Sequence, residues 1–224
     1  MPGKKENTLR DHQLVTLGKM LAGYSHELKN HLAIINESAG LMGDLIDMGN
    51  IDNEQTLQRF KKIISVIGER INKANSMAKY LSSFAHQMDV PISSFDINEL
   101  LNEELTFLDR FFWIKSVSVQ KKLQSELPSV NNNPSLLLYV LFTHILQIID
   151  RIDSGGEIVL SSQMKGQNIQ IIIDAASLSA PAADPESGSP DSASVTYALE
   201  KMGIAIEEET VDSQHRTTLT IPSE

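Results

Sequence analysis

The 224-residue chain opens on a helical pattern that no proline interrupts between Gly3 and Val90. At roughly 100° of rotation per residue, Leu14, Leu17, Leu21, Tyr24, Leu28, Leu32, Ile35, Ala39, Met42 and Ile46 fall in one apolar stripe. That stripe predicts a first helix from Thr8 to about Met48. Gly49, Asn50, Asp52 and Asn53 then supply turn composition. A second helix is predicted from about Glu54 to Met88. Its apolar positions Leu57, Phe60, Ile64, Ile67, Ile71, Ala74, Ala78, Leu81, Ala85 and Met88 recur at alternating steps of three and four, the spacing of a coiled-coil seam. Two long helices joined by a short turn lie antiparallel. Alone, such a hairpin leaves apolar surface wet, so two copies are expected to pair as a four-helix bundle. The alternative is a monomeric three- or four-helix bundle that recruits later helices.

Val90-Pro91 ends the pattern, because proline cannot continue a helix. Shorter, mixed elements follow. The pattern predicts a strand at Ser94–Ile97, a helix capped by Asn98 and running to about Trp113, and a strand at Val117–Lys122. After a turn at Asn131-Asn132-Asn133 it predicts a helix from Pro134 to about Asp153, then strands at Glu157–Met164 and Ile169–Ala175. Ser177–Ser194 has loop composition, and a helix at Ala193–Met202 and strands at Ile204–Glu209 and Thr217–Ile221 complete the chain. The predicted fold class is α+β: a long helical hairpin over residues 1–90, then an α/β sandwich over 91–224.

Composition narrows the partners. The net charge of −10 and the absence of any basic run longer than a Lys pair argue against a nucleic-acid surface. With no cysteine, disulfides and thiolate metal sites are excluded. No apolar run approaches the ~20 residues of a bilayer span, and the polar start is no signal peptide, so a cytoplasmic location is expected. Any signal is expected to come from another molecule or through a longer parent chain.

Candidate chemistry centres on Ser25-His26-Glu27-Leu28-Lys29-Asn30-His31-Leu32. His26 lies nearly opposite the apolar stripe, where packing has no use for it. The order His-Glu-Leu-Lys-Asn resembles the phospho-accepting box of two-component sensor histidine kinases, and the order of later elements resembles their ATP-binding domain. The resemblance implies that His26 carries a phosphoryl group on a ring nitrogen and exchanges it with an aspartate of a response regulator receiver domain. Glu27 would then support the imidazolium, while Lys29 and Asn30 attend the phosphoryl oxygens. Ala33, Ile34, Glu37 and Leu41 would form the receiver-docking surface below. Where many family members have proline, this chain has His31, and the steps of four from Tyr24 to Leu28 to Leu32 form a local stutter.

The nucleotide residues of that family are altered. Thr143 and Gln147 stand where asparagines are expected on the phosphate-binding helix. Asp174-Ala175-Ala176-Ser177-Leu178 stands for Asp-x-Gly-x-Gly, keeping the aspartate and neither glycine. Around Gly188 and Pro190 the glycine-rich stretch is reduced to one glycine. Gln147 and Asp174 thus read as remnants of a lost site, with no cofactor expected and magnesium left to the receiver. No metal site is expected either. His31 has no ligand partner on its own face, and His86, His144 and His215 stand apart in sequence.

The expected function is a homodimeric phosphorelay protein, a histidine phosphotransferase that moves phosphoryl groups between receiver aspartates, with an upstream kinase as a further partner. Two alternatives stand beside it. One is a divergent ATP-dependent sensor histidine kinase that uses ATP and magnesium; the other is a non-catalytic dimeric module that sequesters a receiver or a kinase.

Overall fold

A computed structural model describes residues 2–49, 53–89, 91–178, 192–211 and 213–222. The chain divides into two compact units, residues 22–84 and residues 1–21 together with 85–224. Two helices, α1 (Pro2–Asp47) and α2 (Glu54–Asp89), run through both units. α2 is preceded by Asn53, whose side chain accepts from Gln55 N at 2.9 Å and so caps the helix.

In the 22–84 unit, Tyr24 and His31 of α1 and Thr56, Ile63, Met77 and Phe84 of α2 are buried. The predicted stripes are therefore split. Leu32 and Ile46 on α1 and Leu57, Ile64 and Ile71 on α2 remain exposed, Ile64 by 57%. The buried set on α2 steps 56-63-77-84, one residue to the side of the exposed 57-64-71 set. Each helix carries an apolar arc wider than one partner helix covers, so one flank is buried and the other stays wet.

The larger unit is a two-layer structure. Its five-stranded sheet has the order β2-β4-β5-β7-β6, built from β2 (Ser118–Leu123), β4 (Ile152–Lys165), β5 (Asn168–Leu178), β6 (Ala205–Val211) and β7 (Gln214–Pro222). Only β2 and β4 run parallel. The helices α3 (Ile97–Lys115), α4 (Pro134–Arg151) and α5 (Ser192–Met202) pack on one face, against β4, β5 and β6 respectively. Apolar on almost every side, α4 lies between α3, α5 and the sheet, with Leu137, Leu138, Val140, Leu141 and Phe142 fully buried. Against the α5 end of this unit, Glu6 of α1 accepts from Lys201 Nζ at 2.8 Å and Tyr197 Oη at 3.0 Å.

Several local expectations change. Asp96, not Asn98, caps α3 by accepting from Glu99 N at 2.9 Å. Asn98 instead donates to Gln124 O and accepts from Ser162 Oγ, joining α3 to the sheet. The asparagine run predicted as a turn begins with β3 (Val130–Asn132), paired antiparallel with β1 (Ser93–Phe95). Only Asn133 serves the helix, accepting from Leu136 N as the α4 cap. β4 starts at Ile152 and bends through a register shift before Glu157, with Gly155 at φ +87°. Gly156 is required there, because a Cβ would sit 2.5 Å from the Ile152 side chain.

Candidate functional site

α1 presents His26 on its exposed side, with Lys29 and Asn30 exposed beside it. Residues four apart on a helix are neighbours. Accordingly, the Asn30 amide nitrogen lies 3.3 Å from His26 Nδ1 and also donates to Glu27 Oε2 at 3.3 Å. An amide has two hydrogens, so it serves both at once. With Nδ1 accepting, the neutral ring carries its proton on Nε2. Attack on phosphorus from Nε2 requires that proton on Nδ1 instead, facing an acceptor. A half-turn of the Asn30 amide supplies one by bringing Oδ1 to the ring. Asn30 is thus placed to set the His26 tautomer.

Glu27 makes no direct hydrogen bond to the His26 ring. It stands one position from His26, about 100° round the helix, and adjacent residues do not face each other. Its half-buried carboxylate reaches His26 through Asn30 and lies 3.7 Å from His31 Nε2, so His31, against the expectation from spacing, has a carboxylate one turn back on its own face. His31 is 4% exposed and belongs to the packed side of α1. Below His26, Ala33, Glu37 and Leu41 are exposed and Ile34 is half-buried, forming a short surface of mixed polarity.

The nucleotide remnants are arranged otherwise. On α4, Thr143 is buried and Gln147 half-buried. On β5, Ile169, Ile171, Ile173 and Ala175 are buried. Alternation sends Asp174 to the opposite face. There Arg216, its register partner on β7, grips it through a two-point fork at 2.6 and 3.1 Å. The fork raises the Arg216 pKa and takes up the carboxylate. The backbone turns left-handed at Ser177, φ +68°, a geometry that favours glycine. Aligning the first glycine of Asp-x-Gly on Ser177 puts Ala175, not Asp174, at the aspartate position. On that alignment the acidic position is empty; Asp174 itself belongs to the side of the sheet away from the helices. A depression of about 420 Å³ on that side includes Glu157, Asp174 and Glu209 against Arg216 alone, a poor electrostatic host for a triphosphate. Gly188 and Pro190 lie outside the described residues.

Sequence spacing left His144 and His215 as isolated residues. The fold brings them together with Glu208, their ligand atoms all within 4.8 Å of one another. Strand pairing between β6 and β7 makes this cluster, and no linear spacing announces it.

No family model matches the chain. Sensor histidine kinase ZraS of Escherichia coli O157:H7 is 21% identical over 164 residues, covering 73% of this chain and 34% of that kinase. The match thus spans about a third of the relative's length. Among solved structures, Acinetobacter baumannii histidine kinase AdeS superposes with a TM-score of 0.51 at 17% identity, covering 89% of this chain and 98% of that one. Histidine kinase ThkA, solved in complex with response regulator protein TrrA, gives a TM-score of 0.51 at 17% identity, covering all of this chain and 66% of that one. No helix among the described residues is long and apolar enough to cross a membrane. In sequence the chain is similar to two-component sensor histidine kinases, and in fold it resembles solved histidine kinase structures.

Proposed function

We propose that the chain is a two-component signalling protein in which His26 accepts a phosphoryl group and exchanges it with the aspartate of a response regulator receiver domain. The observation that carries this is the exposed His26 ring with Nδ1 held by Asn30. Nε2 meets no partner among the described residues, and once the Asn30 amide turns its Oδ1 to the ring and the ring proton moves to Nδ1, Nε2 is free to attack an incoming phosphorus. In that step Nε2 forms a bond to phosphorus while the aspartyl oxygen–phosphorus bond breaks, returning the carboxylate. Lys29 and Asn30 supply positive charge and a donor for the phosphoryl oxygens. Ala33, Ile34, Glu37 and Leu41 offer the receiver its seat, and the kinase–regulator complex of ThkA and TrrA supports a partner of that kind. The exposed set Leu32, Ile46, Leu57, Ile64 and Ile71 supports a homodimer.

Two donors are compatible with this chemistry. The relatives favour a divergent ATP-dependent sensor kinase over a phosphotransferase, since those named above are kinases. The residues favour an aspartyl phosphate as donor: Asp174 is engaged by Arg216 on the far side of the sheet, neither glycine of the Asp-x-Gly-x-Gly pattern is kept after it, and Gln147 stands for a shorter amide where magnesium is strict about reach. We take the carrier reading on those residues, with ATP and magnesium as cofactors of the second reading only. His26→Gln tests what both share. The variant should keep its melting temperature and lose all acid-labile phosphoryl label; a variant labelled as well as the wild type removes His26 from the chemistry.

A further inference from the structure

Between α4 and the sheet edge formed by β6 and β7, two buried imidazoles and one exposed carboxylate converge. His144 Nε2 lies 3.3 Å from Glu208 Oε1 and 2.7 Å from Thr217 Oγ1. His215 Nε2 lies 3.0 Å from the same hydroxyl, and its Nδ1 lies 2.8 Å from Thr210 Oγ1. The register explains the convergence. Glu208 pairs with Thr217 and Thr210 with His215, so all four side chains point to the helix side, where α4 brings in His144.

We propose that His144, Glu208 and His215 form a binding site for a divalent transition-metal ion of the zinc type. Two imidazoles and a carboxylate suit such an ion, whereas calcium and magnesium favour all-oxygen shells. Thr210 acts as the outer partner: its hydrogen bond to Nδ1 orients the His215 ring and directs Nε2 inward. Burial lowers the pKa of both histidines, with Arg151 adding to the effect and Glu208 opposing it. Arg151 repels a cation, and Glu208 supplies the compensating charge. The fourth position falls to water or to Thr217, on the exposed side from which Glu208 reaches in. A bound ion would clasp α4 to the edge strands independently of anything that happens at His26.

The rival is a purely hydrogen-bonded cluster. Thr217 donates its one proton to one imidazole and accepts from the other, which satisfies both without an ion. Titration of the full chain, free of any affinity tag, with Co²⁺ separates the two. The site should take one equivalent and give the strong visible bands of a four-coordinate ion, and Zn²⁺ should displace it. Glu208→Gln changes an exposed side chain and leaves the core untouched. It should weaken binding at least about tenfold, as should His215→Gln, while His26→Gln leaves binding unchanged. Zn²⁺ should raise the melting temperature of the wild type and not that of Glu208→Gln. Absence of stoichiometric binding, or binding that survives both Glu208→Gln and His215→Gln, would leave only the hydrogen-bonded cluster.

Discussion

The stretch around His26 and the stretch around Asp174 use their polar side chains in opposite ways. On α1, His26 has one nitrogen held by a neighbour one turn away and the ring exposed, so bonding capacity remains for a substrate. On β5, Asp174 has both oxygens engaged by Arg216. A polar residue type in the sequence is therefore not by itself an available one. What counts is which face the residue occupies and whether its lone pairs are already committed. The helix keeps chemistry available; the sheet has turned a similar resource into a cross-strand tie.

The largest effects should come from adjacent positions on α2. Ile63→Asp buries an unpaired charge and should unfold the hairpin, at a cost of several kcal/mol. Ile64→Asp changes an exposed side chain; it should leave the helical signal intact and abolish self-association, read by sedimentation. If Ile64→Asp leaves a dimer unchanged, or if the wild type is monomeric at micromolar concentration, the exposed apolar flank has another use.

A buried acid gives the next effect. Glu104 of α3 is fully buried, and neither carboxylate oxygen has a hydrogen-bond partner among the described residues. Burial, and then the nearby Glu103, push its pKa well above the usual carboxylate range. The folded state thus holds a proton that the unfolded chain releases above its ordinary pKa of 4.5. Stability is therefore lost as pH rises from that value towards the raised one, by up to ~1.4 kcal/mol per pH unit. Glu104→Met should flatten this slope and stabilise the protein by about 1–3 kcal/mol near neutrality, as chemical denaturation at several pH values would show. An unchanged slope would place the pH dependence elsewhere.

These contrasts also mark how far the sequence could be read. Both long helices, α4 and most strands follow from periodicity, because their apolar positions repeat over enough residues to define a face. Short elements do not: β3 spans three residues and hides in an asparagine run that reads as a turn. Asn98 and Asp96 are both good caps, and only the contact of Asn98 with Ser162, distant in sequence, shows which one is used elsewhere. The exposure of His26 was legible from the helical wheel. The bridging role of Asn30, the burial of His31 and the far-side placement of Asp174 depend on side-chain direction and strand register, which spacing does not carry.

Smaller effects probe the two sites themselves. Asn30→Ala should slow phosphoryl acceptance by about tenfold, ~1.4 kcal/mol in the barrier, and shift its pH profile by freeing the ring tautomer. An Asn30→Asp variant that restores the rate would identify the acceptor role of the side chain. Arg216→Ala removes a largely exposed ion pair and should cost at most about 1 kcal/mol. It frees Asp174 on the wrong face, so ATP affinity should not appear; if it does, the register assignment at Ser177 is mistaken.

The donor decides the central claim. Purified protein should be offered labelled ATP with magnesium in one reaction and a receiver domain carrying labelled aspartyl phosphate in another, with acid-labile label on His26 followed over minutes. The carrier reading predicts label from the receiver and none from ATP. Label passing from ATP to His26, with micromolar ATP affinity, would contradict it and make the chain a divergent sensor kinase.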